Sequence, residues 1–195
     1  MASRIDRILE QIDALGAELD EEIAERRKAF AYELEGRRAR FAAEARARHR
    51  ALRVSLRAFL AQARLSHIVT APVIYSLIVP FALLDLWVSV YQTVCFRAYG
   101  IPRMRRADHI RIDRHQLAYL NGVQKLNCVY CGYVNGLISW TREVASRTEA
   151  YWCPIKHAGP VRRPHDRYAG FVNFGDAEGF AEGLDRARER VARDP

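Results

Sequence analysis

The sequence predicts a mainly α protein in three parts. These are a long N-terminal amphipathic or coiled-coil helix, a proline-kinked apolar membrane segment, and a small helical C-terminal module stapled by a Cys3His metal site. Three observations predict it. Residues 3–66 hold no proline and only two glycines, Gly16 and Gly36, in a background of Ala, Glu, Arg and Leu. The 29 residues Ile68–Phe96 are almost wholly apolar, with Asp85 as their one carboxylate. Three of the four cysteines and a histidine then fall in one short window.

The first part, residues 1–66, opens with Ser3 as a candidate N-cap. Ile5, Ile8, Ile12, Leu15 and Leu19 follow in alternating steps of three and four, the seam of a coiled coil. After Leu19 the phase slips to Ile23, Phe30, Leu34 and Phe41, and Leu52, Leu56, Phe59 and Leu60 resume it. The opening heptads suit self-association, so a homo-oligomer is expected through this helix. A solvated amphipathic helix and a surface-lying membrane helix fit the same pattern. The chain opens with no apolar signal segment, which places the N-terminus in the cytosol.

The second part, residues 67–99, exceeds the ~20 apolar residues that cross a bilayer. As a straight helix the 29 residues would run about 43 Å, against ~30 Å of hydrocarbon. Pro80 near the centre predicts a kink or a break. Arg53, Arg57 and Arg64 precede the run, and Arg97, Arg103, Arg105 and Arg106 follow it. One crossing cannot keep both flanks on the cytosolic side, whereas a re-entrant hairpin with arms Ile68–Val79 and Phe81–Phe96 would. Both topologies fit the apolar run. Asp85 is read as a proton-carrying or partner-pairing group, or as a carboxylate hydrogen-bonded to Ser89 or Tyr91. Cys95 at the membrane edge is a packed thiol or an acylation site.

Net charge is +8, unevenly spread. Residues 1–25 hold eight acids and two arginines, residues 26–64 twelve bases and three acids, and residues 97–125 seven bases and two acids. The positive charge therefore brackets the apolar run. Anionic lipid is the expected partner, at about 1 kcal/mol per Lys or Arg near the surface. The arginines lack interleaved aromatics, so nucleic acid is not expected.

Residues 100–111 form a polar connector, and residues 112–195 the metal-binding module. A short helix is expected over IDRHQLAYLNGVQKL, then a loop NCVYCGYVNG, a second helix LISWTREVASRTEAYW, an irregular stretch from Ala158 to Gly175, and a final helix. Cys128 and Cys131 make a CxxC pair, with Cys153 after 21 further residues and His157 after three more. Two close pairs of thiolate and imidazole donors suit tetrahedral zinc, with iron or an iron–sulfur cluster as the alternative at the same four ligands. Gly132 follows the second cysteine as a turn residue, and Pro154 pre-sets the turn after Cys153. The CxxCG knuckle resembles those of zinc ribbons and rubredoxins over six residues.

Arg142, Glu143, Arg147 and Glu149 are spaced for ion pairs along a solvated helix face. His165, Asp166, Tyr168 and Asp176 form a weak acid–base set, with no nucleophile elbow or phosphate loop beside them. The expected function is a non-enzymatic scaffold or adaptor, anchored in the inner or cytoplasmic membrane, with its zinc module in the cytosol and holding a protein partner. The alternatives are an iron-binding redox component and a monotopic enzyme acting on a lipid-linked substrate through His165 or Asp176.

Overall fold

The computed structural model describes residues 4–29, 32–35 and 38–194, and it is mainly helical. The chain forms two compact units interleaved along the sequence: Met1–Ala63 with Asp113–Val129, and Arg64–Ile112 with Tyr130–Pro195.

In the first unit, α1 spans Arg4–Ala29 and carries the expected seam. Ile8, Ile12, Leu15, Leu19 and Ile23 are all exposed, so among the described residues the stripe is uncovered. Ser3 and Phe30 lie outside the described residues. The helix does not run on to residue 66. An antiparallel hairpin follows, β1 (Tyr32–Glu35) and β2 (Arg38–Phe41), whose register sets Tyr32 opposite Phe41 and Glu33 opposite Arg40. The slipped heptad phase after Leu19 marks this change. Tyr32 and Leu34 stand two apart, the period of a strand, and Phe41 pairs with Tyr32 in the register. Two short helices, α2 (Ala43–Ala51) and α3 (Leu56–Ala61), complete the stretch, and Ser55 caps α3 through its hydroxyl. His49 packs edge-on between Phe41 and Tyr119, tying α2 to the 113–121 segment.

In the second unit, α4 (Leu65–Ser76) and α5 (Ile78–Tyr91) continue through a π-turn, Gln92–Phe96, into α6 (Arg97–Tyr99). Together Leu65–Tyr99 is one helix of 35 residues, with mean hydropathy 2.0 over its most apolar window. At 1.5 Å per residue it is about 52 Å long. The re-entrant hairpin is thereby overturned. The expected break at Pro80 shrinks to a one-residue interruption at Leu77, whose φ of −62° and ψ of −15° stay right-handed. The interruption places Pro80 in the first turn of α5, where N–H groups lack helical partners and a missing one costs little.

Gly100 ends the helix at φ +68°, and Ile101 N–H reaches back to the Phe96 carbonyl at 2.9 Å. Phe96 and Ile101 are both buried, which completes a Schellman cap with its apolar contact. The chain then returns along the helix through α7 (Arg106–His109).

The 112–126 segment forms only a 3-10 turn at Arg114–Gln116 before α8, Gly122–Trp152, begins. Asn121 Oδ1 accepts from Gln124 N–H and Gln124 Oε1 accepts from Asn121 N–H, both at 3.0 Å. This reciprocal box fixes the start of α8. The helix then passes without interruption through NCVYCGYVNG, the predicted loop.

Gly132 and Gly136 explain why. A Cβ on Gly132 would lie 2.8 Å from Arg111 O, and one on Gly136 would lie 2.6 Å from Ile110 Cα and 2.8 Å from His109 O. The two glycines form a GxxxG notch in α8 through which the 109–112 backbone crosses. Leu137, Trp140, Val144 and Ala150 of α8 form the core with Phe96 and Ile101, and Phe81, Leu84 and Val88 of α5 pack against it. The chain closes with α9, Phe180–Arg193, where Gly183, Ala187 and Val191 are buried.

Candidate membrane-facing site and the predicted metal ligands

Apolar residues surround the Leu65–Tyr99 helix, but only one stripe of it is covered. Phe81, Leu84, Val88, Tyr91, Phe96 and Tyr99 belong to or pack against the core. Val69, Val73, Leu77, Leu83, Trp87, Val90 and Val94 recur at helical spacing on the remaining surface and are exposed, Trp87 at 72% and Val73 at 67%. A helix that is apolar all round belongs in a core or in lipid. Tyr130 ties α8 to the first half of the helix, donating to the Ile74 carbonyl at 3.0 Å and meeting Tyr75 edge-on. Tyr91 and Thr148 hydroxyls share a 2.9 Å hydrogen bond further along.

Asp85 has an ionic partner. Arg106 Nε donates to its Oδ1 at 2.9 Å, Arg106 Nη2 donates to Oδ2, and Tyr133 Oη donates to Oδ2 at 2.8 Å. Its carboxylate is 15% exposed and the Arg106 side chain 45%. The hydrogen bond to Asp85 raises the Arg106 pKa, and burial with the Asp85 hydrogen bond raises that of Tyr133. Spacing along its own helix points to Ser89 or Tyr91 as partners of Asp85. The real partners lie 21 and 48 residues away, brought in by the returning segment and by α8.

The four predicted metal ligands do not converge. Cys131 and Cys153 stand 22 positions apart on the unbroken α8 and its end, about 33 Å at 1.5 Å per residue. Ligands of one ion sit about 2.0–2.3 Å from it, so these two cannot share one. Cys128 lies one turn before Cys131 on the same helix. His157 is engaged elsewhere: its backbone N–H donates to Tyr168 Oη at 2.7 Å and its Nδ1 lies 3.2 Å from the same oxygen. Among the described residues no three His, Cys, Asp or Glu side chains form a metal-sized group. Cys128, Cys131, Cys153 and His157 therefore do not meet around one ion within the described residues. The glycine read as part of a knuckle serves the helix crossing instead.

An ion-pair network takes the place of the expected staple. Glu143 receives Arg167 at 2.6 Å and Arg147 at 3.1 Å, and both arginines also reach Asp194. Arg147 is only 3% exposed and donates as well to the Pro102 and Asp194 carbonyls. The i,i+4 spacing predicts a solvated face here. The spacing of Glu143 and Arg147 is as expected, but the C-terminal segment returns over them with Arg167 and Asp194. A cavity of about 630 Å³ adjoins the network, lined by both acids and bases, among them Arg103, Arg105, Asp108 and Asp166.

Burial pushes the Glu143 carboxyl up, but hydrogen bonds and charge from Arg167 and then Arg147 outweigh it and hold it below its ordinary 4.5. The folded-state pKa is thus depressed. The stabilisation is complete above the unfolded value and is lost as pH falls through the folded one. Glu143→Gln is expected to flatten the acid limb of the stability curve below about pH 4.5, read by thermal melts across pH. An unchanged limb would show that Glu143 is not linked to folding.

His165 and Asp176 serve structural bonds. His165 Nε2 meets Glu149 Oε2 at 2.9 Å, and Asp176 Oδ1 accepts the Gly179 N–H at 2.9 Å just before α9. Comparison with models of known protein families finds no match, and comparisons with curated proteins and with solved structures find none either.

Proposed function

We propose that the chain is a membrane-anchored, non-enzymatic scaffold or adaptor. The observation that carries this reading is the exposed apolar stripe of the Leu65–Tyr99 helix. Burying one Val, Leu or Phe side chain gains about 1.5–3 kcal/mol, so the stripe leaves on the order of 10 kcal/mol unrealised in water. Lipid supplies that burial.

A helix that presents one stripe to lipid and is backed along another by α8 can keep both arginine-rich flanks on one face of the bilayer. That supports a cytosolic placement of both the N-terminus and the C-terminal module. The exposed stripe of α1 supports self-association. The zinc staple drops out of the reading because its ligands do not meet, and the iron reading leans on the same four residues.

Flotation of the full chain with vesicles tests the anchor. Trp87→Glu with Val90→Glu is expected to shift most of the protein to the soluble fraction. Ile12→Glu with Leu15→Glu is expected to leave it membrane-bound but lower its mass in detergent to that of a monomer. Retention of the Trp87/Val90 variant at wild-type level removes the anchor, and an unchanged mass removes the self-association.

A further inference from the structure

In the first unit, α2 and the segment that leads into α8 enclose a cavity of about 340 Å³ lined by Arg46, Arg50, Arg53, Gln116, Ala118 and Lys125. Four of its six lining residues are cations and none is an acid. Arg46 and Arg50 are one turn apart on α2, so their guanidinium groups project from the same face. Among the described residues none of the four cations makes a side-chain hydrogen bond or ion pair. This contrasts with Arg106, Arg147 and Arg167, each of which has a carboxylate partner.

The placement is built by packing. The edge-on stack of Phe41, His49 and Tyr119 holds α2 against the 113–121 segment, and the Asn121–Gln124 box aims the first turn of α8, which carries Lys125. Four like charges around one cavity repel one another, and a polyanion relieves that repulsion. Guanidinium groups present paired N–H donors that match phosphate oxygens, and a lysine adds a compact charge. The Gln116 amide supplies a neutral donor to the same space.

We propose that this cavity is a phosphate-binding site that takes a doubly charged phosphate group, either the headgroup of a phosphomonoester lipid or a free phosphate compound. The inference concerns the first unit alone and deepens the membrane reading by naming the lipid chemistry that the basic flank selects.

The test uses the full chain in detergent, with pyrophosphate as the soluble probe followed by calorimetry. Saturable binding at one site per chain is expected, and Arg50→Gln is expected to weaken it at least tenfold. Arg48→Gln, which removes the same charge from α2 outside the cavity, is expected to change it less than twofold. Vesicle flotation identifies the source. Phosphatidic acid that raises binding over phosphatidylcholine through Arg50, and is competed by pyrophosphate, identifies the lipid headgroup. Pyrophosphate binding without that preference identifies a free phosphate compound. No saturable binding, or equal losses in the Arg50 and Arg48 variants, overturns the site and leaves only diffuse basic charge. Flotation of Arg50→Gln on phosphatidylcholine reads the apolar anchor separately, so failure of the pocket and failure of the anchor give different results.

Discussion

Gly136→Ala is expected to destabilise the second unit by about 2 kcal/mol. Two effects oppose each other. Alanine is a better helix former than glycine by about 1 kcal/mol, which would favour the variant. Against this, the new Cβ would sit 2.6 Å from Ile110 Cα and 2.8 Å from His109 O, both of them backbone atoms that cannot swing aside. Overpacking costs about 1–3 kcal/mol where side chains can adjust, and a backbone clash stands at or above the top of that range. The clash wins.

Gly16→Ala should have the opposite sign, since nothing lies within 4 Å of a Cβ there and α1 gains helix propensity. Cys128→Ser and Cys131→Ser should stay within about 0.5 kcal/mol of wild type. Denaturant melts of the four variants separate a helix notch from a metal knuckle. If the cysteine variants unfold the protein while Gly136→Ala is silent, the unbroken helix is wrong.

Asp85→Asn is the second large effect, at about 2 kcal/mol. Removing one partner of a fully buried pair costs about 3–5 kcal/mol, because a charge is left without compensation. Here Arg106 is 45% exposed, so water takes up part of that cost. The loss is shared, since the asparagine also weakens the acceptor of the Tyr133 hydroxyl. A double-mutant cycle of Asp85→Asn with Arg106→Gln should show coupling of about 1 kcal/mol or more. Additive losses would mean that the pair does not hold the returning segment against α5.

Much of the architecture was legible in the residues, and most of the rest depends on contacts between distant segments. The seam of α1, the apolar helix and α9 all follow from periodicity within their own segments. The Asn121–Gln124 box is also written locally, in NGVQ. Gly132 and Gly136 are a different case. A glycine signals either a turn or a close approach of another backbone, and these choices differ only by what lies opposite. What lies opposite Gly136 is Ile110, 26 positions earlier in the chain. Arg147 was likewise spaced for a solvated ion pair and is buried by Asp194, 47 residues on.

The sequence by itself determined the helical class, the apolar helix with its basic flanks, and the amphipathic stripe of α1. Each depends on side-chain spacing over a few turns, which any chain of this pattern carries with it. Tertiary structure alone decided which stripe of the apolar helix is covered, who neutralises Asp85, and that the cysteines lie along a rod rather than around an ion. Those outcomes depend on which distant segments come to rest against one another. One-dimensional spacing shows which donors lie near each other in the chain, and the 31-residue α8 keeps Cys131 and Cys153 apart in space.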